Sequence, residues 1–213
     1  HDGHHDHGGG AGDGDRGEDP PGEHRAQRTP SRRALHPGRV LRYLGPMLTR
    51  RLEPEVCDTH EEASDYDAMD HSTVNARFCE DFLLLAPDVT RVLDVGTGTA
   101  LIPIELCRRS PAAHVVAIDL SAEMLALGAT RVKDAGFADR VTLDRLDAKH
   151  TGLASGSFTA VVSNSIVHHI PEPRDALREM VRLLAAGGVL FVRDLLRPAD
   201  AETRDALVDT YAP

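Results

Sequence analysis

Three groups of residues in this 213-residue chain are typed and spaced for chemistry. The first is a glycine turn, Gly96-Thr97-Gly98, placed just after an acid, Asp94. Lacking Cβ atoms, Gly96 and Gly98 can take unusual dihedrals and let a ligand approach the backbone. The second is two acids further on, Asp119 at the end of a short apolar run and Asp147 after a turn beyond Val141-Thr142-Leu143. An ionised carboxylate there accepts hydrogen bonds from hydroxyls or amines of a bound molecule. The same position also suits a helix cap or a loop acid. The third is His168-His169, shortly after Ser163-Asn164-Ser165. Imidazole changes charge near neutral pH, so a histidine there can take a proton from a hydroxyl or amine.

The elements that must position these groups alternate. Val92-Leu93 reads as a buried strand, the glycine turn follows, and Leu101, Ile102, Ile104 and Leu106 open a helix to about Arg109. Strand, tight turn and helix form the first unit of a nucleotide-binding α/β fold, with the helix N–H groups facing the turn. Val115 to Ile118 is a second strand, continuous and apolar as in a parallel sheet buried on both faces, and it ends at Asp119. Ser121, Met124 and Leu125 open a helix that runs to about Ala135 and stops at Gly136. Val141 to Leu143 and Phe158 to Val162 supply strands three and four. Pro173 to Ala185 reads as an amphipathic helix with Ala176, Leu177, Met180, Val181 and Leu184 on one face and Arg178 and Glu179 outside. Gly187-Gly188 closes it, and Val189 to Val192 is a fifth strand ending in Arg193-Asp194. Asp200 to Thr210 reads as a last helix. Upstream, His71-Ser72-Thr73 can cap a helix whose Val74, Phe78, Phe82 and Leu85 are spaced for one buried face. Val40, Leu41, Tyr43, Leu44, Met47, Leu48 and Leu52 form a further helical stripe, with Pro46 inside it.

Composition narrows the functions. With 41% hydrophobic residues the chain can bury one core, and no apolar run is long enough to span a membrane. No signal-peptide pattern opens the chain, and Cys57, Cys79 and Cys107 stand apart without metal-ligand spacing, which fits reduced thiols in a cytoplasmic protein. A net charge of −10 with three Tyr, five Phe and no Trp makes a poor nucleic-acid binder and suits a small-molecule enzyme. Residues 1–34 are rich in Gly, Asp, His, Pro and Arg and are expected to be a disordered low-complexity tail. His1, His4, His5 and His7 lack a scaffold for a physiological metal site, and Arg25, Arg28, Arg32 and Arg33 read as solvated charge.

The glycine turn after Asp94, with Asp119 after the second strand, Asp147 after the third, the Asn164 strand end and Gly187-Gly188 before the fifth strand, resembles the class I S-adenosylmethionine-dependent methyltransferases. The resemblance covers about residues 60–210. Ala100 stands where that family often has a third glycine, and Thr159 where relatives usually have an acid. The implied fold is α/β, a Rossmann-like three-layer sandwich with a mostly parallel sheet, ending before the family's last two strands with an exposed edge. The implied organisation is a tail at 1–34, a helical lid segment at 35–87 and a Rossmann-like domain at 88–213. The implied cofactor is S-adenosyl-L-methionine, held by Asp94, Gly96, Thr97, Gly98, Asp119, Leu120, Met124, Asp147, Ala148, Asn164 and Ser165. Within that set Asp119 would take the ribose hydroxyls, and Asp147 with the Ala148 N–H the adenine. Asp65 to Asp70 resembles the family's lid, which makes Tyr66 a candidate for lining the site. One of His168 and His169 would be the catalytic base, and no metal is implied. The reaction implied is SN2 methyl transfer to a small-molecule acceptor. Ser163-Asn164-Ser165-Ile166 is not Asn-Pro-Pro-aromatic, which argues against adenine N6 or glutamine as acceptor. Two other readings compete. A nicotinamide-dependent oxidoreductase would want a third glycine at Leu101. A non-catalytic cofactor-binding module is the third.

Overall fold

The computed structural model describes residues 48, 49, 52 and 59–211. The expected tail, its histidines and arginines, Cys57, and most of the apolar stripe from Val40 to Leu52 lie outside the described residues. Of that stripe, Leu48 and Leu52 are described, and neither is in a helix.

The elements run in the order α1 (His60–Ala68), α2 (Ser72–Leu85), β1 (Arg91–Val95), α3 (Leu101–Arg109), β2 (His114–Asp119), α4 (Ala122–Asp134), β3 (Val141–Arg145), β4 (Phe158–Asn164), α5 (Pro173–Leu183), β5 (Leu184–Arg193) and α6 (Ala201–Tyr211). The five strands form one parallel sheet in the order β3-β2-β1-β4-β5. The chain builds outwards from β1 in one direction, then returns to β1's other side to place β4. Neighbouring loops diverge at that reversal, so a crevice opens beyond the C-terminal ends of β1 and β4.

Two apolar cores cover the two sheet faces, which makes three layers. Phe78, Cys79 and Phe82 of α2, Ile104, Leu106 and Cys107 of α3, and Val132 of α4 pack on Val92, Val115, Ala117, Ala160 and Val162. On the other face, Met180 and Leu183 of α5 pack on Leu93, Val95, Ile118 and Val161. The β3–β4 connection, residues 146–157, contains no helix or strand. Leu146, Ala148 and Leu153 from that connection complete the second core in place of a crossover helix. Thr159 joins β4 to β1 by accepting from the Arg91 N–H and donating to the Arg91 carbonyl.

Four sequence expectations change. The buried face of α2 is Asn75, Phe78, Cys79 and Phe82, while Val74 and Leu85 are exposed. Both sets have helical spacing, and packing against α3 selects the first. His71 makes no side-chain cap; Asp70 instead accepts from the Ser72 N–H. The helix from Pro173 ends at Leu183, and Leu184 already pairs with Phe158 in the sheet. The Gly156 N–H takes the Arg182 carbonyl, which turns the chain out of the helix. A register shift follows before Ala160 meets Val189. On α5 itself Glu179 is buried and Val181 is exposed, the reverse of the periodicity reading.

Candidate functional site

The glycine turn hangs from the second strand. The Gly96 and Thr97 N–H groups both donate to the Ile118 carbonyl, at 2.9 and 3.0 Å. Gly96 has φ +75° and Gly98 has φ +54°, backbone that glycine adopts without strain. At Gly96 the missing Cβ is also a matter of space. The Ile166 side chain, from the loop after β4, fills the volume a Cβ would need. Ala100 follows the turn in the left-handed region at φ 62°, fully buried. The ring of Tyr66 on α1 lies over Gly98, 3.8 Å from where a Cβ would stand. A bidentate ion pair of Asp67 with Arg131 holds α1 to α4 there.

Asp119 ends β2 and touches both neighbours of the crevice. Its Oδ2 accepts from the Gly98 N–H at 2.8 Å and its Oδ1 from the Ser121 N–H at 2.9 Å. Ser121 in turn caps α4 by accepting from the Met124 N–H. These contacts leave part of the carboxylate's acceptor capacity unused. A carboxylate has about four lone-pair sites, and two remain for hydroxyl donors. The Leu120 carbonyl accepts from Arg145, and Met124 is buried. Asp147 lies one residue beyond Leu146, whose N–H donates to the Asp119 carbonyl. The two acids thus sit at adjoining strand ends, as the sequence reading requires.

Asp94 is the most unusual group. It is 1% exposed, and neither carboxylate oxygen has a hydrogen-bond partner. The hydroxyls of Thr97 and Thr99 are likewise buried and unpartnered. Burial pushes the Asp94 carboxyl up to about 7, the Asp119 charge adds to the rise, and Thr97 opposes it. An acid raised in the fold costs stability where it must ionise. Below about pH 4 it is neutral in both states and costs nothing. As pH climbs towards 7 the unfolded chain ionises while the fold resists, so stability falls through that window and the loss is constant above it. Asn keeps the shape of the neutral acid. Ligand-free Asp94→Asn should therefore gain melting temperature over the parent steadily from pH 4 to 7, with no further gain at pH 8. A pH-independent difference in thermal scans would contradict the raised Asp94.

The loop after β4 carries the two histidines. Ser165 has φ 60° and its N–H takes the Arg193 carbonyl. This aligns the Asn164 strand end with the end of β5, where Asn164 registers with Arg193. His168 Nδ1 sits 2.7 Å from Asp194 Oδ1, and Asp194 Oδ2 accepts from the Val167 N–H at 2.6 Å. Asp194 also accepts from the Leu195 N–H. The carboxylate thus fixes the histidine's ring and its loop together. The His169 ring packs on that of His168, with centroids 4.1 Å apart. Among the described contacts, His168 is oriented by an acid, Asp194.

Sequence reasoning missed Asp194 and Ile166 as site residues. Asp194 could have been found as an acid at the end of a strand neighbouring the histidine's strand. Nothing in the sequence marked Ile166. A cavity of about 470 Å³ is lined by Asp67, His71, Asn75, Leu101, Glu105 and Arg131 among others. None of the expected cofactor residues lines it, but it shares the Asp67–Arg131 pair that joins α1 to α4.

Comparison with known proteins falls on this same region. Residues 93–192 match a family model described as a methyltransferase domain. The chain is 33% identical over 109 residues to the ubiquinone/menaquinone biosynthesis C-methyltransferase UbiE of a Geobacter species, covering 51% of this chain and 46% of that protein. It is 35% identical over 108 residues to the demethylmenaquinone methyltransferase of Porphyromonas gingivalis, covering 50% and 44%. The chain thus spans less than half the length of these curated relatives. In fold it resembles a Methanococcus maripaludis protein described as a candidate S-adenosyl-L-methionine-dependent methyltransferase, with a TM-score of 0.62, 19% identity, and coverage of 76% of this chain and 74% of that one.

Proposed function

From the premise that residues 93–192 belong to the methyltransferase-domain family, with its Rossmann-like α/β fold and S-adenosylmethionine cofactor, we infer that this chain transfers a methyl group to a small-molecule acceptor that must lose a proton. The observation that carries the reading is Asp94, buried beneath a glycine turn with neither oxygen in a hydrogen bond and the Thr97 hydroxyl nearby. Such a cluster is costly unless a ligand completes it.

The residues present fit that cofactor. Asp119 has acceptor capacity left for two ribose hydroxyls, beside backbone that Gly98 leaves open. Asp147 and the Ala148 N–H stand at the next strand end for adenine. Asp94, Thr97, Asn164 and Ser165 line the methionine end, where the buried Asp94 charge answers a cation. Tyr66 on α1 roofs the turn and limits water. When bound, the cofactor supplies an electrophilic methyl carbon on a good leaving group. The protein's task is to hold acceptor and methyl in line and dry. Asp194 holds His168 through Nδ1, so Nε2 is the ring nitrogen that takes the acceptor's proton. Neutral His168 with Nδ1–H towards Asp194 is the form that does so.

The relatives lend no support to the nicotinamide or non-catalytic readings. No helix among the described residues is long and apolar enough to cross a membrane, and a cytoplasmic place for the reaction is part of this proposal. The test is calorimetry with S-adenosylmethionine, S-adenosylhomocysteine and NADH, followed by incubation with methyl-labelled cofactor and a metabolite extract. Binding of the first two, and label in a small molecule, is the expected outcome. Binding of NADH alone would reject the reading. Asp119→Ala should weaken S-adenosylhomocysteine by about 1.5–3 kcal/mol, as for hydrogen bonds to a charged group. Because Asp119 also pins Gly98 and Ser121, the same variant should melt somewhat earlier.

A further inference from the structure

The Glu179–Arg182 pair on α5 has no part in the chemistry described so far, yet it is the most heavily bonded ionic group on the second sheet face. Glu179 is buried, at 7% exposure, and Arg182 meets both its oxygens at 2.7 Å. The other partners all belong to the β3–β4 connection. Glu179 Oε1 accepts from the Thr151 N–H and from its hydroxyl, at 2.9 and 2.6 Å. Arg182 donates to the Leu153 carbonyl and to the Ser155 hydroxyl, both at 2.8 Å. Arg182, with help from Thr151, holds the Glu179 carboxyl down at about 2. The pair is therefore ionised throughout the neutral range.

Glu179 is buried while the Arg182 side chain is 37% exposed, so desolvating the carboxylate consumes much of the attraction and the pair is a poor source of stability alone. What such a pair can do is specify where its partners sit. The connection it grips has no helix to give it shape. At its start the Leu146 N–H is pinned to the Asp119 carbonyl. At Thr151 it is pinned to Glu179. Between those points runs one tight turn, in which Asp147 Oδ1 takes the Lys149 N–H and the Asp147 carbonyl takes the His150 N–H. Asp147 and Ala148 thus stand between two fixed points, and one of them is the α5 pair.

We propose that Glu179 and Arg182 are positioning residues for the adenine end of the cofactor site, fixing through Thr151, Leu153 and Ser155 the turn that presents Asp147 and Ala148. This rests on the reading of Asp147 and Ala148 as the adenine contacts. The pair makes no contact with cofactor. It sets how sharply the site distinguishes a 6-amino purine from one without that donor.

The test uses calorimetry with two probes, S-adenosylhomocysteine and S-inosylhomocysteine, which carries an oxygen in place of the 6-amino group. The parent should favour the first by tenfold or more, the size of a hydrogen bond to a charged acceptor. Asp147→Asn should abolish the preference, which checks the underlying reading. Glu179→Met with Arg182→Met replaces the pair by apolar side chains that can pack against each other. That variant should melt near the parent yet lose most of the preference. A parent-like preference in the double variant, with Asp147→Asn having lost it, overturns the positioning role and leaves the adenine reading intact. A preference kept by Asp147→Asn removes the adenine reading, and the proposal with it. Should the double variant fail to fold, Glu179→Gln and Arg182→Lys decide the matter. Glu179→Gln keeps an acceptor for Thr151 without the charge, and Arg182→Lys keeps the charge without the fork to Leu153 and Ser155. Both should show a reduced preference, and a full preference in both overturns the proposal.

Discussion

Replacing His168 by Gln should lower turnover by about 10²–10⁴-fold, the usual contribution of a positioned acid or base, while the affinity for S-adenosylhomocysteine stays within a few-fold. Gln matches the size of imidazole and can hydrogen-bond to Asp194, so the loop should keep its place. It cannot accept a proton at neutral pH. His169→Gln is the internal control, because the His169 ring packs at a tilt on that of His168 while the described contact with Asp194 is made by His168. That variant should keep turnover within a few-fold. Asp194→Asn is a mixed case. Asp194 holds the Val167 and Leu195 N–H groups as well as His168, so loss of its charge should reduce turnover and also lower the melting temperature. Single-turnover rates with saturating cofactor measure the effect on chemistry alone. A His168→Gln enzyme at full rate would mean that the acceptor reaches the site already ionised, and His168 would then be a structural strut for the loop.

Gly96→Ala should abolish cofactor binding and destabilise the fold. Two costs add. A side chain at φ +75° is held in the left-handed region at about 1–2 kcal/mol, and overpacking against Ile166 adds about 1–3 kcal/mol. The sum is a large share of the roughly 5–15 kcal/mol that holds a typical domain together. The damage also reaches function by a definite route. Ile166 precedes His168 by two residues, so pushing it off the glycine turn moves the histidine loop away from the crevice. Ile166→Ala in the Gly96→Ala background should restore the space but not the backbone preference. Partial recovery of melting temperature is therefore expected. Chemical denaturation of the three proteins measures this directly. Gly96→Ala with parental stability would mean that the loop after β4 has a second resting place.

The parts of the fold that were legible from the sequence are those in which one local rule dominates. Val115 to Ile118 is buried on both faces of a parallel sheet, so an unbroken apolar run betrays it. The glycine turn and Asp119 were legible because positive φ and a strand-end carboxylate leave clear residue types. The end of the helix from Pro173 was not. Leu184 continues the helical pattern, and only its pairing with Phe158, a residue 26 positions earlier, takes it into the sheet. Glu179 was placed outside for the same reason. A charge goes inside only when partners meet it, and Thr151 lies 28 residues away. Asp194 was noted as a strand end and not as a partner of His168, since their contact depends on β4 and β5 being neighbours. Ligand contacts follow strand order, while the fine orientation of the base follows pairs formed across it.

The buried methyl of Ala100 has a consequence for sequence drift. Gly128 lies in the middle of α4, where glycine is about 1 kcal/mol worse than alanine. A Cβ there would come within 3.3 Å of both the Ala100 methyl and the Thr99 backbone. Position 128 is a notch, and the turn after β1 rests in it. Asp119 accepts from the N–H of Ser121, the residue that caps α4, so the helix carrying that notch is tied at its start to the end of β2. A Cβ at 128 would have to push back both the Ala100 methyl and the Thr99 backbone by a few tenths of an ångström, a cost set against the helix propensity that alanine gains there.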